Sequence, residues 1–251
     1  MKYSVIIPTY NHCDKFLKPC IEAILKYSHI KDIELIVSAN GCTDNTFEYL
    51  GNLKDDFVHL GLENHFKIVW NNQALGYAKA VNAGIKESTS DMIVLLNNDA
   101  ILLPQEKNHW LQLLSDPFES DLTCGITGSL TLYSEIIDML FAPFFCVMLS
   151  RKIVNEIGLL DEQFLIGGNE DIDYCARIQQ KGYKVVQPVP MVYDKEIELH
   201  VGTFPLWHQG EGTVHDSSLV PEFEKAFRTN ELKLALKYNN ISWYEKYKNS
   251  I

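Results

Sequence analysis

Carboxylates and side-chain amides sit where the apolar runs of this chain stop. Val5-Ile6-Ile7 leads into Thr9-Tyr10-Asn11, Glu34 to Val37 into Asn40-Gly41-Cys42-Thr43-Asp44, Lys67 to Trp70 into Asn71-Asn72, and Met92 to Leu96 into Asn97-Asn98-Asp99. Each run reads as a strand, and open parallel sheets bind ligands at the carboxyl ends of their strands. At any one strand end, the preference of Asn and Asp for turns and caps is explanation enough. The same pattern at every end favours a polar crevice that holds a ligand. Asp99 closes an apolar strand and is held stiffly at the sheet edge, where a carboxylate binds Mg²⁺ or Mn²⁺ through hard oxygen. Such an ion would neutralise a bound diphosphate. Arginine is poorly placed to do so, because of 22 basic residues only Arg151, Arg177 and Arg228 are arginines. Farther along, Glu170, Asp171 and Asp173 crowd the first turn of an expected helix.

The elements that must position these groups follow from periodicity. Leu17, Cys20, Ile21, Ile24 and Leu25 share one helical face, as do Leu75, Ala78, Val81 and Ile85. Near-continuous apolar strands alternating with amphipathic helices predict a doubly wound α/β unit: a mostly parallel central sheet with helices on both faces. In the second half, Cys124 to Leu132 and Phe141 to Leu149 read as strands, and Ser150 to Ile157 as a short helix ended by Gly158. Asn169 to Lys181 reads as a helix capped by Asn169 and stopped by Gly182. Strands are expected around Tyr183 to Gln187 and Val192 to His200, and a C-terminal helix from Pro221 to about Tyr238 carries Phe223, Phe227 and Leu234 on one face. No Gly-, Ser- or Pro-rich linker divides the chain, so one continuous domain over 1–251 is expected. Its first lobe would be 1–100, its second 101–215, and 216–251 a helical extension.

Composition narrows the function classes. The chain has 251 residues, 46% hydrophobic and 22% charged, which suits a globular protein with a large core. The formal net charge of −11 repels a phosphate backbone and no basic stripe relieves it, so nucleic acid is not an expected partner. The six cysteines form no C-x-x-C pair and fall in apolar patterns, as reduced thiols of a cytoplasmic protein do. The apolar run ending at Pro8 is too short for a signal-peptide core, and Met139 to Leu149 is broken by Pro143 and too short to span a bilayer. A cytoplasmic protein is expected, with peripheral membrane association allowed.

Taken in order, the motifs resemble the family 2 glycosyltransferases of the GT-A fold. They are P-T-Y-N after the first strand, N-G-C-T-D-N-T after the second, N-x-x-x-G-Y-A-K-A-V-N-A-G-I, and L-L-N-N-D. The second half adds F-F-C-V-M-L-S-R-K-I-V-N-E-I-G-L-L-D-E-Q-F, G-G-N-E-D-I-D-Y-C-A-R-I-Q-Q-K-G-Y-K-V and W-H-Q-G-E-G-T, so the resemblance runs from Pro8 to about Thr213.

The resemblance implies an inverting, metal-dependent transfer of a single sugar from a nucleotide-diphosphate donor to a glycan or lipid-linked glycan. Asp99 looks like the last member of the family's D-x-D metal motif, with Asn97 at its first position, and His208 like the family's late histidine near the ion; His215 competes for that role. Mn²⁺ or Mg²⁺ is the implied cofactor. Pro8, Thr9, Tyr10, Asn11, Asn40, Asp44, Asn71, Gly76, Lys79, Asn97 and Asn98 are implied to line the donor. Ala39 stands where the family usually has an acid that contacts the base, which leaves UDP-, GDP- and dTDP-sugars open. Glu170-Asp171 matches the pair that supplies the base, Asp171 taking the proton and Glu170 supporting the acceptor pocket. Physically, a carboxylate in the first turn of a helix is stiffly held, and the macrodipole is expected to keep it ionised. The plainer reading is that Glu170, Asp171 and Asp173 merely complement that dipole.

Gly210 and Gly212 suggest a loop that folds over the donor, and Trp207 is either a sugar-stacking or a core residue. Specificity is expected in the loops Pro117 to Asp121 and Lys195 to Gly202. The Q-x-x-R-W motif of processive synthases is absent. The alternatives are a nucleotidyltransferase that makes the activated sugar and a non-catalytic carbohydrate-binding module of the same fold.

Overall fold

The computed structural model describes residues 1–194, 199–210 and 220–249. In chain order its strands are β1 (Tyr3–Thr9), β2 (Ile33–Asn40), β3 (Phe66–Asn71), β4 (Met92–Leu96), β5 (Ala100–Leu102), β6 (Cys124–Gly128), β7 (Leu132–Ser134), β8 (Met139–Phe141), β9 (Cys146–Ser150), β10 (Lys184–Val186), β11 (Met191–Asp194), β12 (Leu199–Gly202) and β13 (Leu206–His208). Its α-helices are α1 (Lys18–Tyr27), α2 (Thr46–His59), α3 (Tyr77–Glu87), α4 (His109–Ser120), α5 (Arg151–Ile157), α6 (Glu170–Gln180), α7 (Val220–Lys237) and α8 (Ile241–Tyr247). A seven-stranded sheet with order β10-β6-β9-β4-β1-β2-β3 forms the centre. Its neighbours are parallel except at β9, which runs antiparallel to both β4 and β6.

Both sheet faces are covered, which is why the strands read as unbroken apolar runs. Within β1, Val5 and Ile7 pack with Leu17 and Ile21 ahead of and within α1, Leu50 of α2 and Trp110 of α4. Ile6 points the other way, to Val81 of α3, Ile153 of α5 and Tyr174 of α6. Helix α3 lies so close to β1 that a Cβ on Gly84 would come within 2.4 Å of Ile6 Cγ2. Trp110 is fully buried and its indole N–H donates to Ser28 Oγ at 3.1 Å. Burying such a ring stabilises the docking of α4 by about 1.5–3 kcal/mol.

Several expected boundaries move. Of the two long strands expected in the second half, the first ends early, at Gly128, and the second begins late, at Cys146. Gly128 is pressed against Ala142, where a Cβ would lie 2.7 Å from the alanine methyl, and Pro143 has no N–H for a ladder. The residues between form the hairpin β7–β8. Val192 to His200 is not one strand but part of the hairpin β11–β12, and 195–198 lie outside the described residues. Pro117 to Ser120 is not a loop but the last turn of α4, the helix continuing past Pro117 to an Asp121 N–H bond to its carbonyl. Leu75 is exposed and precedes α3, whose N-terminal boundary is Gly76 at φ 86. Asn169 occupies the boundary of α6 at φ 72, but its side chain makes no capping bond. Helices α2, α4 and α8 and the strands β5 and β13 were not anticipated. Among the described residues, no helix is long and apolar enough to cross a membrane, and every described cysteine is free.

Candidate active site

A cavity of about 590 Å³ opens at the carboxyl ends of β1, β2 and β4. Pro8, Thr9 and Tyr10 reach it from β1, Asn40 from β2, Gly76 from the turn before α3, and Asn97, Asn98 and Asp99 from the end of β4. Glu170 and Asp171 enter from α6 and His208 from β13. Hydrogen bonds set the walls. Asn98 donates to Thr9 Oγ1 at 2.9 Å, tying the ends of β1 and β4. Asn40 donates to the Gly76 carbonyl and accepts from the Leu75 N–H at 2.9 Å, which shapes the turn ahead of α3.

The remaining predicted donor residues lie elsewhere. Asn11 Oδ1 accepts from the Thr43 and Asp44 N–H groups at 2.7 and 3.3 Å. Asp44 accepts from the Cys13 N–H at 2.9 Å and from Thr46. Burial alone would raise the Asp44 carboxyl, but these donors hold it below its ordinary value. Asn11 and Asp44 thus lock the loops after β1 and β2 together beside a second, more open pocket of about 440 Å³. Asn71 and Lys79 line neither space.

His208 and Asp99 meet because β13 pairs antiparallel with β5, placing His208 opposite Ala100. His208 Nε2 lies 3.1 Å from Asp99 Oδ1, with both side chains less than a tenth exposed. The imidazole is stacked on Phe145, ring centroids 4.2 Å apart and planes 10° from parallel. Nearby, the buried Asn97 Oδ1 has no hydrogen-bond partner among the described residues. A carboxylate, an imidazole and a spare amide oxygen suit Mn²⁺ or Mg²⁺. No group of three or more His, Cys, Asp or Glu side chains gathers as a metal site among the described residues, so a bound ion would need ligands from elsewhere. His215, Gly212 and the rest of 211–219 lie outside the described residues. Trp207 pairs with Ile101, on the opposite side of β13 from His208, and does not line the cavity.

Glu170 is buried and its Oε2 has no hydrogen-bond partner among the described residues; Asp171 is half-buried and accepts from the Ile172 N–H at 2.8 Å. Burial pushes both carboxyls above the usual range, and the Asp171 charge pushes Glu170 further. Desolvation of Asp171 thus opposes the ionisation that the helix macrodipole is expected to favour. Asp173 faces away from the cavity and is fully paired, with Arg177 at 3.0 Å, Lys237 at 2.7 Å and the Tyr238 hydroxyl at 2.9 Å.

Sequence reasoning passed over three features of the site. Tyr77 lines the cavity and donates its hydroxyl to the Phe144 carbonyl at 2.8 Å; burial and the nearby Glu170, Asp171 and Asp99 charges keep it protonated. Its signal was present in G-Y-A-K. Phe141, Pro143 and Phe144 make one apolar wall, and Phe223 and Phe227 of α7 another. The aromatic spacing of α7 was visible, but its destination was not. No arginine or lysine lines the cavity among the described residues. Arg151 and Arg177 are instead spent on backbone carbonyls, of Ser88 and Ser90 and of Ile157 and Leu159.

Comparison with known proteins bears on the family and the fold. The glycosyltransferase GlyG of Streptococcus pneumoniae serotype 4 is 32% identical over 132 residues, 53% of this chain and 40% of that protein. The chain spans less than half the length of the curated relatives it matches. In fold it is similar to the mannosyltransferase PcManGT from Pyrobaculum calidifontis, solved with GDP-Man and Mn²⁺, at a TM-score of 0.58 and 17% identity, covering 74% of this chain and 54% of that one. GalNAc-T7, solved with UDP, GalNAc and Mn²⁺, is similar at a TM-score of 0.60 and 16% identity, covering 74% and 42%. The model for "Glycosyl transferase family 2" matches residues 4–133, from β1 through the ends of β2, β3 and β4 to β7. With more than half of its length matched in this way, the chain belongs to glycosyl transferase family 2.

Proposed function

We propose that this protein moves a single sugar from a nucleotide-diphosphate donor to a hydroxyl of a glycan or glycolipid acceptor, with inversion at the transferred carbon. The observation that carries the reading is the charge of the cavity. It gathers Asp99, Asp171 and Glu222 beside a protonated Glu170, with no lysine or arginine among the described residues, so a bound diphosphate requires a cation brought with it. Asp99, His208 and the Asn97 amide oxygen would hold Mn²⁺ or Mg²⁺, and the donor's phosphate oxygens would complete the shell. When bound, the ion supplies the positive charge that stabilises a diphosphate leaving group.

The chain's own residues do the rest. Thr9, Tyr10, Asn40, Gly76 and Asn98 hold the donor at the sheet edge. Asp171 accepts the proton of the attacking hydroxyl, as the base does in inverting chemistry on sugars. Glu170, deeper and harder to ionise, supports the acceptor pocket by donating from its protonated form. The apolar walls exclude water, which would otherwise compete with the acceptor.

A thermal-shift screen of UDP-, GDP- and dTDP-sugars, each with Mn²⁺ and with excess chelator, tests the donor half. One nucleotide class should raise the melting temperature in Mn²⁺ and not in chelator. Equal shifts in both conditions would remove the ion from the scheme.

A further inference from the structure

The loop that delivers Glu170 and Asp171 to the cavity has one hydrogen bond of its own, from the Gly167 N–H to the Leu165 carbonyl at 2.8 Å, and is otherwise held from outside. Ile166 has φ 62, Gly168 φ 94 and Asn169 φ 72. A β-branched residue in the left-handed region persists only when its surroundings impose it. Helix α7 supplies much of that constraint. Asn230 is fully buried, and the two N–H groups of its Nδ2 are shared among the carbonyls of Leu165, Gly167 and Gly168 at 3.1, 3.2 and 3.1 Å. Phe227 lies one turn earlier with its ring against Gly168, where a Cβ would come within 2.5 Å of it. From the opposite side, the Tyr77 N–H of α3 donates to the Ile166 carbonyl at 2.8 Å. Asn230 Oδ1 has no hydrogen-bond partner among the described residues. A residue that merely filled space here would not bury an unsatisfied oxygen; the amide is kept for its donors.

We propose that Asn230, with Phe227 beside it, is a positioning residue that holds the 165–169 loop so that Glu170 and Asp171 enter the cavity. The proposal rests on Asp171 being the base. It makes α7, outside the family-matched segment, part of the working site. Asn230 touches no reacting atom and acts through Asp171.

The test compares Asn230→Ala, Phe227→Leu, Asp171→Asn and the Asn230→Ala/Asp171→Asn double variant in the full chain. The first readout is turnover per folded protein with the nucleotide sugar selected by the screen, and the second, which needs no substrate, is the carboxyl ¹³C titration of Glu170 and Asp171. Asn230→Ala should lower turnover by roughly 10- to 100-fold with donor KM within a few-fold, the scale of a misplaced catalytic group. The titrations of both carboxyls should move back toward the ordinary range as water enters, and Asn230→Ala should add no further loss to Asp171→Asn. Phe227→Leu should repeat the titration change in smaller measure, and it decides the matter if Asn230→Ala does not fold. A lower melting temperature with unchanged turnover and unchanged titrations would overturn the proposal, as would an equal loss in the Asp171→Asn background. Failure of the underlying reading is separately visible, as near wild-type turnover in Asp171→Asn alone.

Discussion

Asp171 must be ionised to accept a proton, and its half-buried place beside Glu170 opposes ionisation. The titratable groups that line the cavity with it are Glu170 on its own helix, Asp99, Glu222, His208, Tyr10 and the protonated Tyr77, with no lysine or arginine among the described residues. The acid limb of the transfer rate should therefore lie above the ordinary aspartate range, with activity rising as pH climbs through it. Asp171→Asn should keep nucleotide-sugar binding within a few-fold and cut transfer by roughly 10²–10⁴. Steady-state rates against pH for both proteins check this, and near wild-type transfer in the variant would end the assignment. Glu170 makes a thermodynamic prediction of opposite kind. Its carboxyl is raised in the folded state, so the folded protein holds a proton that the unfolded chain releases, and stability falls as pH rises from the ordinary carboxylate range upward. Glu170→Gln is neutral throughout. Its melting temperature relative to the parent should rise with pH, and a difference that stays flat between acidic and alkaline melts would show Glu170 to be unshifted.

At the scale of elements, the site depends on how closely α3 approaches β1. Gly84 sits where any side chain would meet Ile6, and the same helix carries Tyr77 at its other end, against the cavity. Gly84→Ala should cost about 1–3 kcal/mol by overpacking, although alanine is the better helix former. A lowered urea midpoint with an unchanged slope would report this, whereas a raised midpoint would mean that the helix shifts freely. Helix α6 is fixed from both ends. Arg177 donates to the Ile157 and Leu159 carbonyls, while Lys237 and Tyr238 bind Asp173 from the C-terminal side. The charge crowding at its start is thus divided. Asp173 is paired structurally, and Glu170 and Asp171 are left to the cavity.

At the scale of the whole molecule, the matched segment 4–133 is not a closed structure. It contains β4 and β6, but β9, which lies between them and pairs with both, begins at Cys146. A fragment ending at residue 133 would leave the edge of β4 open and β6 without its partner. Such a fragment should show no cooperative melt by circular dichroism, while the full chain does. A sharp transition in the fragment would mean that the donor half folds alone.

What could be read along the chain was whatever local rules encode. The strands β1 to β4 and the helices α3 and α6 announced themselves through apolar runs, 3.6-residue faces and boundary glycines, because burial of one face leaves a periodic trace in neighbouring residues. Of the Asn and Asp residues at the strand ends, Asn40, Asn97, Asn98 and Asp99 line the cavity, whereas Asn11, Asp44 and Asn71 do not. Other facts depended on contacts between distant segments. Asn11 and Asp44, expected at the donor, hydrogen-bond to each other's loops outside the main cavity. His208 reaches Asp99 across 109 positions through the pairing of two three-residue strands too short to leave a pattern. Phe227 showed only as part of a helical stripe with Phe223 and Leu234, and nothing in that stripe pointed to Asn230 or to the loop before Glu170. Periodicity states that a face is buried; which buried face it meets is settled by shape and hydrogen-bond complementarity in three dimensions.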